Sequence, residues 1–227
     1  MNASPPPTSR TWASILAKAY ALFDDLERQG FPSPPFSLGG GTVLMFRFQH
    51  RLSKDIDFFG YDAQWLSLLS PRLNETAAAL ALTYAEQANG VKIVMAEGDI
   101  DFIIAGDVAL PVVRETARLE GRDILLDPTA EILAKKLFYR AATFKARDLY
   151  DLSAAIDLDP VSALRAVRAA ASRSDSLLRR FDELAAAPGA SLLDGLLPYD
   201  GELRHVENMI AKTRDFLVSA LDEGSRP

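Results

Sequence analysis

The chain has 227 residues, 48% of them hydrophobic, and its 25 basic and 31 acidic side chains give a formal net charge of −6. This charge excludes a histone-like binder of bulk nucleic acid, and the absence of cysteine excludes disulfides, cysteine-ligated zinc, iron–sulfur clusters and cysteine nucleophiles. The sequence has neither the ~18-residue apolar run of a membrane span nor a secretory signal, which predicts a soluble, cytoplasmic protein with no membrane partner.

Helical and strand patterns alternate in the first half of the sequence. Residues 1–9 contain three consecutive prolines and are expected to form a disordered leader. Apolar residues at three- and four-residue spacing predict a helix over 11–29, and two apolar runs around Glu97-Gly98 predict a β-hairpin of 91–95 with 100–104. The other elements expected here are helices over 42–49 and 65–84 and strands over 36–38, 56–59 and 124–126.

The pattern becomes helical from Asp127 onward. Asp127-Pro128-Thr129 resembles a helix cap with proline in the first turn. We therefore expect an α+β protein, in which a small mixed sheet with flanking helices over 10–126 precedes an all-helical C-terminal domain over 127–227. The helices expected in that second domain are 129–142, 146–156, 161–171, 175–187 and 202–221.

A glycine turn, Gly39-Gly40-Gly41-Thr42, lies between the first predicted strand and the next helix. Glycines let backbone N–H groups approach a ligand closely, and the start of a helix offers unpaired donors suited to phosphate. The alternative is an ordinary tight turn between a strand and a helix. The turn is not a Walker loop, because no Gly-Lys-Ser/Thr follows it.

Paired aspartates form the second motif. On a strand, Asp55 and Asp57 point to the same face, where their mutual repulsion favours a divalent cation such as Mg²⁺. Asp101, on a later strand, would complete a three-carboxylate site, whereas Asp99 lies next to a turn and is expected to be solvated. The alternative is a solvated strand edge paired with Lys54 or Arg51.

A cationic stripe is predicted on the helices after the sheet. At ~100° per residue, Lys136, Arg140, Arg147 and Asp151 share one face if the helix continues through 143–146. Such a stripe could hold a triphosphate. The alternative is a solvated amphipathic face with i, i+4 ion pairs.

Taken in order, these motifs resemble the polymerase-β-like nucleotidyltransferase superfamily. The closer resemblance is to the AbiEii/AbiGii-type toxin nucleotidyltransferases and covers residues 36–156. Gly-Gly stands where the superfamily often has Gly-Ser, which removes a hydroxyl that Thr42 could replace. The matching segments are Gly40-Gly41-Thr42-x-Leu44, His50-Arg51-Leu52-Ser53-Lys54-Asp55-Ile56-Asp57-Phe58-Phe59, Ile132-Leu133-Ala134-Lys135-Lys136-Leu137, Arg140 and Arg147-Asp148-Leu149-Tyr150-Asp151-Leu152.

The resemblance implies an Mg²⁺-dependent enzyme with two metal ions that moves an NMP from an NTP to a hydroxyl and releases pyrophosphate. It implies that Asp55, Asp57 and Asp101 bind the metal and that Lys136 contacts the triphosphate. Asp101 is also the candidate base for the acceptor hydroxyl. The residues implied in phosphate and substrate binding are Gly40, Gly41, Thr42, Arg51, Ser53, Arg140, Arg147, Asp148 and Asp151.

The resemblance also implies an RNA acceptor, with the tRNA 3′ end as the leading candidate, and a toxin role opposed by a separate antitoxin. A basic cluster in the C-terminal half would support RNA binding, although a solvated helical face explains it equally. A protein or aminoglycoside acceptor and a non-catalytic binding module remain the alternatives. The cluster comprises Arg165, Arg168, Arg173, Arg179 and Arg180.

Overall fold

The computed structural model describes residues 10–186, 193–206 and 208–224. These residues form two compact units that interleave along the chain. The first unit comprises 10–43, Leu52–Gly106 and Arg114–Asp127, and the second comprises Leu44–Arg51, Asp107–Val113 and the described residues from Pro128 onward. The predicted leader over 1–9 lies outside the described residues.

The first unit is built on seven strands: β1 (Ser37–Gly39), β2 (Ile56–Gly60), β3 (Thr83–Gln87), β4 (Gly90–Val94), β5 (Asp99–Ile104), β6 (Glu115–Leu119) and β7 (Arg122–Leu126). They form one sheet in the order β3-β4-β5-β2-β1-β7-β6. β2 runs parallel to β5 and β1 parallel to β7, whereas the remaining neighbours are antiparallel. The predicted mixed sheet is therefore confirmed.

One face of the sheet is apolar because alternate residues of its central strands are hydrophobic. Helix α1 (Thr11–Arg28) covers this face. Its Phe23 ring lies 5.3 Å from that of Phe58 on β2 and 6.1 Å from that of Phe102 on β5, measured between centroids. Because side chains alternate along a strand, the residues next to Phe58 on β2 and next to Phe102 on β5 project from the opposite face.

The helix predicted over 65–84 is wrong. The structure has two short helices instead, α3 (Gln64–Leu69) and α4 (Glu75–Leu80). Pro71 separates them, because a residue that precedes proline is disfavoured in the helical region. Ser70 accordingly adopts an extended conformation, with φ −74° and ψ 134°.

Strands β3 and β6 were not predicted from the sequence. The Leu82 N–H, just before β3, donates to the Val94 carbonyl at 2.8 Å, so pairing with β4 begins where the Ala- and Leu-rich segment that predicted a helix ends. β6 and β7 form a hairpin around Glu120 and Gly121, both at positive φ. The sequence of β6 is mostly polar, so it contains no apolar run from which a strand could be predicted.

The second unit is helical, as predicted. α2 (Gly40–Phe48) begins in the first unit, and its second half belongs to this one. The helix expected over 202–221 begins later, at Met209. In the part of the chain that the structure describes, no helix is both long and apolar enough to cross a membrane. The later helices are α5 (Thr129–Tyr139), α6 (Ala146–Leu158), α7 (Pro160–Ala169), α8 (Ser174–Ala186) and α9 (Met209–Gly224).

A buried carboxylate anchors the segment Asp107–Val113 to this helical unit. Glu131, in the first turn of α5, accepts hydrogen bonds from the backbone N–H groups of Val108 and Ala109 at 3.0 and 2.7 Å. From α7, the Arg165 guanidinium donates to the Ala109 carbonyl at 3.2 Å. These contacts satisfy backbone groups that lie outside any regular element.

Candidate functional site

Four carboxylates gather where two neighbouring parallel strands begin. Asp57 on β2 is the register partner of Asp101 on β5, so the two side chains share one face of the sheet. Asp55 immediately precedes β2, and its Oδ1 accepts the Asp99 backbone N–H at 3.2 Å. The sequence spacing had therefore identified three residues that the sheet brings together, and Asp99 joins them.

The electrostatics of this carboxylate cluster oppose full ionisation. Burial and the nearby Asp57 charge raise the pKa of Asp101 to about 6. Burial and the charges of Asp99 and Asp57 likewise raise the pKa of Asp55. Carboxylates that repel each other in this way are stabilised by a cation.

Lys92 on β4 provides the positive charge that the fold itself places in the carboxylate cluster. Its Nζ lies 2.8 Å from a carboxylate oxygen of Asp101 and 2.8 Å from one of Asp99. Burial disfavours the charged ammonium, but the hydrogen bonds to these two aspartates outweigh burial and raise the pKa of Lys92. Lys92 was not identified from the sequence.

The glycine turn packs directly against the carboxylate cluster. Gly40, the first residue of α2, has φ +68°, and a Cβ at this position would lie 1.8 Å from Asp57 Oδ2. A side chain is therefore excluded by both backbone conformation and space. Gly40 and Gly41 are buried.

Thr42 and Ser53 position the segment that carries Asp55. The buried Thr42 hydroxyl donates to the Asp55 carbonyl at 2.6 Å, and its Oγ1 lies 3.1 Å from the Ser53 hydroxyl oxygen. Each of these hydroxyl contacts connects the first turn of α2 to the residues just before β2. The Thr42 hydroxyl is thus engaged within the protein.

Substituting Gly40 tests this packing. We expect Gly40→Ala to displace the Asp57 carboxylate and to cost about 1–2 kcal/mol of stability from the positive φ alone. Gly121→Ala is the matched control, since Gly121 has φ +85° but nothing within 4 Å of an added Cβ. Both variants should lose melting temperature through backbone strain, Gly40→Ala by more because of its clash with Asp57, whereas only Gly40→Ala should lose transferase activity. Equal activity in the two variants would contradict the packing argument.

The donor set of the carboxylate cluster fits a hard divalent cation. Its ligands are carboxylate oxygens, which Mg²⁺ prefers, and burial together with the neighbouring carboxylates raises the pKa values of Asp55 and Asp101. Over residues 10–186, 193–206 and 208–224, however, no three Asp, Glu, His or Cys side chains are arranged as a ready cation site. Asp101 would have to exchange its contact with Lys92 for one with the ion.

A second cluster of predicted residues lies in the helical unit, around Asp151 of α6. This fully buried carboxylate accepts hydrogen bonds from Arg51 Nε at 2.6 Å and Arg51 Nη2 at 2.9 Å. Lys136 Nζ lies 3.1 Å away and His50 Nε2 2.7 Å away. Burial acts to raise the pKa of Asp151, but the charges of Arg51 and Lys136 outweigh it and hold the pKa well below its ordinary value.

Asp148, one turn earlier on α6, extends this buried ion network. Its Oδ1 accepts from Lys136 Nζ at 2.6 Å and from Arg140 Nη1 at 3.1 Å. Although burial opposes ionisation, the two cations lower the pKa of Asp148. Lys136 therefore connects both carboxylates and links α5 to α6.

Arg147 does not share the predicted stripe. The helix ends at Tyr139, and a 3-10 turn over Ala141–Thr143 separates α5 from α6. This break directs Asp148 and Asp151 toward Lys136, while Arg147 is exposed. The structure thus brings together Arg51, Lys136, Arg140, Asp148 and Asp151, and leaves Arg147 outside the buried ion network.

His50 is a packing residue of this network. Its ring stacks on Tyr150 with centroids 5.5 Å apart, and the Tyr150 hydroxyl donates to the His50 carbonyl at 3.1 Å. Burial lowers the pKa of His50 despite its hydrogen bond to Asp151. Among the residues described, no hydrogen-bond partner is found for the buried His50 Nδ1.

Most arginines of the predicted basic cluster brace the helices. Arg180 Nε donates to the Phe144 carbonyl at 2.9 Å, and the Arg173 guanidinium lies 4.5 Å above the centre of the Phe138 ring. Arg165 and Arg168 also donate to backbone carbonyls. Exposed members of the cluster are Arg165, Arg168, Arg173 and Arg179, so RNA binding by the cluster stays a prediction.

Comparison with solved structures shows fold similarity to nucleotidyltransferases. MenT4, a nucleotidyltransferase toxin of Mycobacterium tuberculosis H37Rv, has a TM-score of 0.51 and 17% identity, over 94% of this chain and 88% of that chain. An antigenic nucleotidyltransferase-like protein of Paracoccidioides brasiliensis has a TM-score of 0.36 and 12% identity, over 96% of this chain and 95% of that chain. The CD-NTase CdnG of Bradyrhizobium diazoefficiens, in complex with GTP, has a TM-score of 0.30 and 11% identity, over 96% of this chain and 87% of that chain.

The comparison with curated proteins found no match. The family model described as the nucleotidyl transferase AbiEii toxin of a type IV toxin–antitoxin system matches residues 22–218. That match spans the sheet, the carboxylate cluster and the helical unit. The chain therefore belongs to the AbiEii family of toxin nucleotidyltransferases.

Proposed function

We propose that this nucleotidyltransferase moves an NMP from an NTP to a hydroxyl of RNA, with the tRNA 3′ end as its acceptor. The observation that carries the proposal is the register pairing of Asp57 with Asp101 beside the Gly40 turn. This arrangement sets carboxylates next to the start of a helix, where backbone N–H groups favour phosphate. Gly40 and Gly41 are the residues proposed to receive the phosphates.

In the proposed reaction, the acceptor hydroxyl oxygen bonds to the α-phosphorus of the NTP while the bond from that phosphorus to pyrophosphate breaks. Asp101 is the proposed acceptor of the hydroxyl proton, because its side chain shares one face of the sheet with Asp57. Two Mg²⁺ ions held by Asp55, Asp57 and Asp101 would supply charge that stabilises the attacking and leaving oxygens. Thr42 and Ser53 keep Asp55 in place.

The helical unit has two proposed roles. Lys136 and Arg51, which the resemblance assigns to triphosphate or phosphate contact, bind Asp148 and Asp151 in the structure. We assign these two cations mainly to holding α5 and α6 together. For Lys136 to contact a triphosphate, it must first release one of its two carboxylates. The exposed Arg147 and half-exposed Arg140 are the cations of this unit proposed for polyanionic substrates.

Two features favour RNA over an aminoglycoside. The family comprises toxins, and RNA and NTP substrates are both available in a cytoplasm, where we place the protein. Lys92 already pairs with Asp99 and Asp101, so a cationic aminoglycoside would have to compete with its ammonium for those carboxylates. A cognate antitoxin protein is the proposed regulatory partner.

An acceptor competition tests the proposal. The protein is incubated with Mg²⁺ and each α-labelled NTP in turn, together with total tRNA, an aminoglycoside and a protein extract. We expect label only in tRNA, and none when periodate oxidation has removed the tRNA 3′ hydroxyls. Label in the aminoglycoside, in protein or in oxidised tRNA would contradict the proposed acceptor.

A further inference from the structure

A cavity of about 240 Å³ opens on β3, β4 and β5, beside the carboxylate cluster. The strand register explains its position. Ala85 pairs with Lys92, Lys92 with Asp101, and Asp101 with Asp57, so a single row of side chains crosses four strands. Asp101 and Lys92 line the cavity, and Ala85 lies at the far end of the row.

Two of the residues that line the cavity are small. Gly90, in the row next to Ala85, has no side chain, and an added Cβ would lie 3.2 Å from the Phe102 carbonyl oxygen. Ala85 contributes one methyl group. The volume is below the ~300 Å³ at which pockets for drug-sized ligands begin, so the cavity can enclose the sugar or the base of a nucleoside, whose other part would lie at the rim, but not a complete nucleotide.

Two side chains with amide groups lie at the rim of the cavity. Gln87 and Asn89 are exposed, and in the described part of the chain neither side chain has a hydrogen-bond partner. Each amide offers both donors and acceptors, the combination that recognises base edges and sugar hydroxyls. Asp101 is the only carboxylate in the lining and Lys92 pairs with it, so a polycationic ligand is disfavoured.

We infer that this cavity is the acceptor subsite, which binds the terminal nucleoside of an RNA and directs its hydroxyl toward Asp101. The inference rests on the proposed function. The row Ala85-Lys92-Asp101-Asp57 connects the acceptor subsite to the carboxylates. Gln87 and Asn89 hold the nucleoside at the rim.

Filling the cavity tests the acceptor subsite. Ala85→Phe places an aromatic ring in the cavity from an exposed edge strand, while Ala117→Phe makes the same change on β6, at the opposite edge of the sheet. A third variant, Gln87→Ala with Asn89→Ala, removes the amides and keeps the space. Melting temperatures confirm that each variant folds.

Two readouts separate the acceptor subsite from the proposed function. The first is the Kd of a fluorescent RNA trinucleotide with a free 3′ hydroxyl, without NTP, and the second is KM for RNA in NMP transfer. We expect Ala85→Phe and the amide variant to weaken RNA binding about tenfold or more, with NTP affinity unchanged. Ala117→Phe should bind RNA as the unsubstituted protein does.

The outcomes are distinct. Equal trinucleotide affinity in all folded variants would overturn the acceptor subsite, whatever the transfer assay gives. Weakened affinity in the two cavity variants, with no NMP transfer by the unsubstituted protein, would support RNA binding in the cavity and contradict the proposed function. No trinucleotide binding by any form would overturn the subsite as well.

Discussion

Replacing Asp57 by asparagine is expected to lower kcat for NMP transfer about 10³-fold or more. Asp57 lies opposite Asp101 and against Gly40, so the amide would occupy the same space without the negative charge. Because burial and the charges of Asp99 and Asp57 raise the pKa of Asp55, removing one of these charges should not lower the melting temperature.

Asp123→Asn is the control for this loss. Asp123 is exposed on β7 of the same sheet and pairs only at the surface with Arg118 in the described chain, at 3.0 Å. We expect it to retain full activity, since surface ion pairs contribute about 0–1 kcal/mol. If Asp57→Asn transferred NMP as fast as Asp123→Asn, the carboxylate cluster would not be the catalytic site.

Asp151→Asn should destabilise the protein strongly. Asp151 is fully buried, and its carboxylate contacts the side chains of Arg51, Lys136 and His50 within ion-pair distance. Losing the anion from such a network leaves buried cations uncompensated, which costs about 3–5 kcal/mol. Chemical denaturation of the substituted and unsubstituted proteins measures the difference in the free energy of unfolding.

This loss should depend on pH. Since the folded-state pKa of Asp151 is well below its ordinary value, its ionised form stabilises the fold above an unfolded pKa of about 3.9. That stability is lost as the pH falls below this value toward the folded pKa. The difference in the free energy of unfolding between the unsubstituted protein and Asp151→Asn should therefore be constant from pH 8 to 6 and decrease below about pH 4.

Asp157→Asn provides the comparison on the same helix. Asp157 pairs with Lys212 and His205 at 2.6 Å near the surface, and its loss should cost about 1 kcal/mol or less. Should Asp151→Asn cost no more than Asp157→Asn, the buried ion network would not be what holds α5 and α6 together.

The sequence was sufficient to predict features that depend on local pattern. Alternation around Ile56 and Phe58 predicted β2, and the turn at Glu97-Gly98 predicted the hairpin of β4 with β5. Asp55 and Asp57 were recognisable because i, i+2 spacing on a strand fixes a shared face. At Thr83–Gln87, pairing with β4 determined that the segment forms a strand, although the local sequence pattern had predicted that a helix extends into it.

Lys92 shows what sequence pattern could have added. Counting outward from a turn centred between Ala96 and Glu97 places Lys92 opposite Asp101, whereas the same count from the predicted turn at Glu97-Gly98 would place it opposite Ile103. The hairpin was predicted from the sequence, but its register was not counted. Asp99, expected to be solvated, pairs with Lys92 for the same reason.

The buried ion network lay beyond sequence reasoning. The predicted stripe required a continuous helix through 143–146, and the 3-10 turn changes which side chains meet Lys136. The contact of Arg51 with Asp151 joins residues 100 positions apart, a separation at which no helical or strand periodicity applies. Contacts of the basic cluster, such as that of Arg165 with the Ala109 carbonyl, likewise join residues far apart along the chain.

Nucleotidyl transfer to RNA by the carboxylate cluster is tested most directly by following the fate of each phosphate. Parallel reactions contain Mg²⁺, tRNA and an NTP labelled either at the α- or at the γ-phosphate. We predict that α-label enters tRNA while γ-label leaves as pyrophosphate, with neither event in Asp55→Ala/Asp57→Ala. Label from the γ-phosphate in tRNA, or α-label transferred equally by the double variant, would show that the carboxylate cluster does not catalyse this reaction.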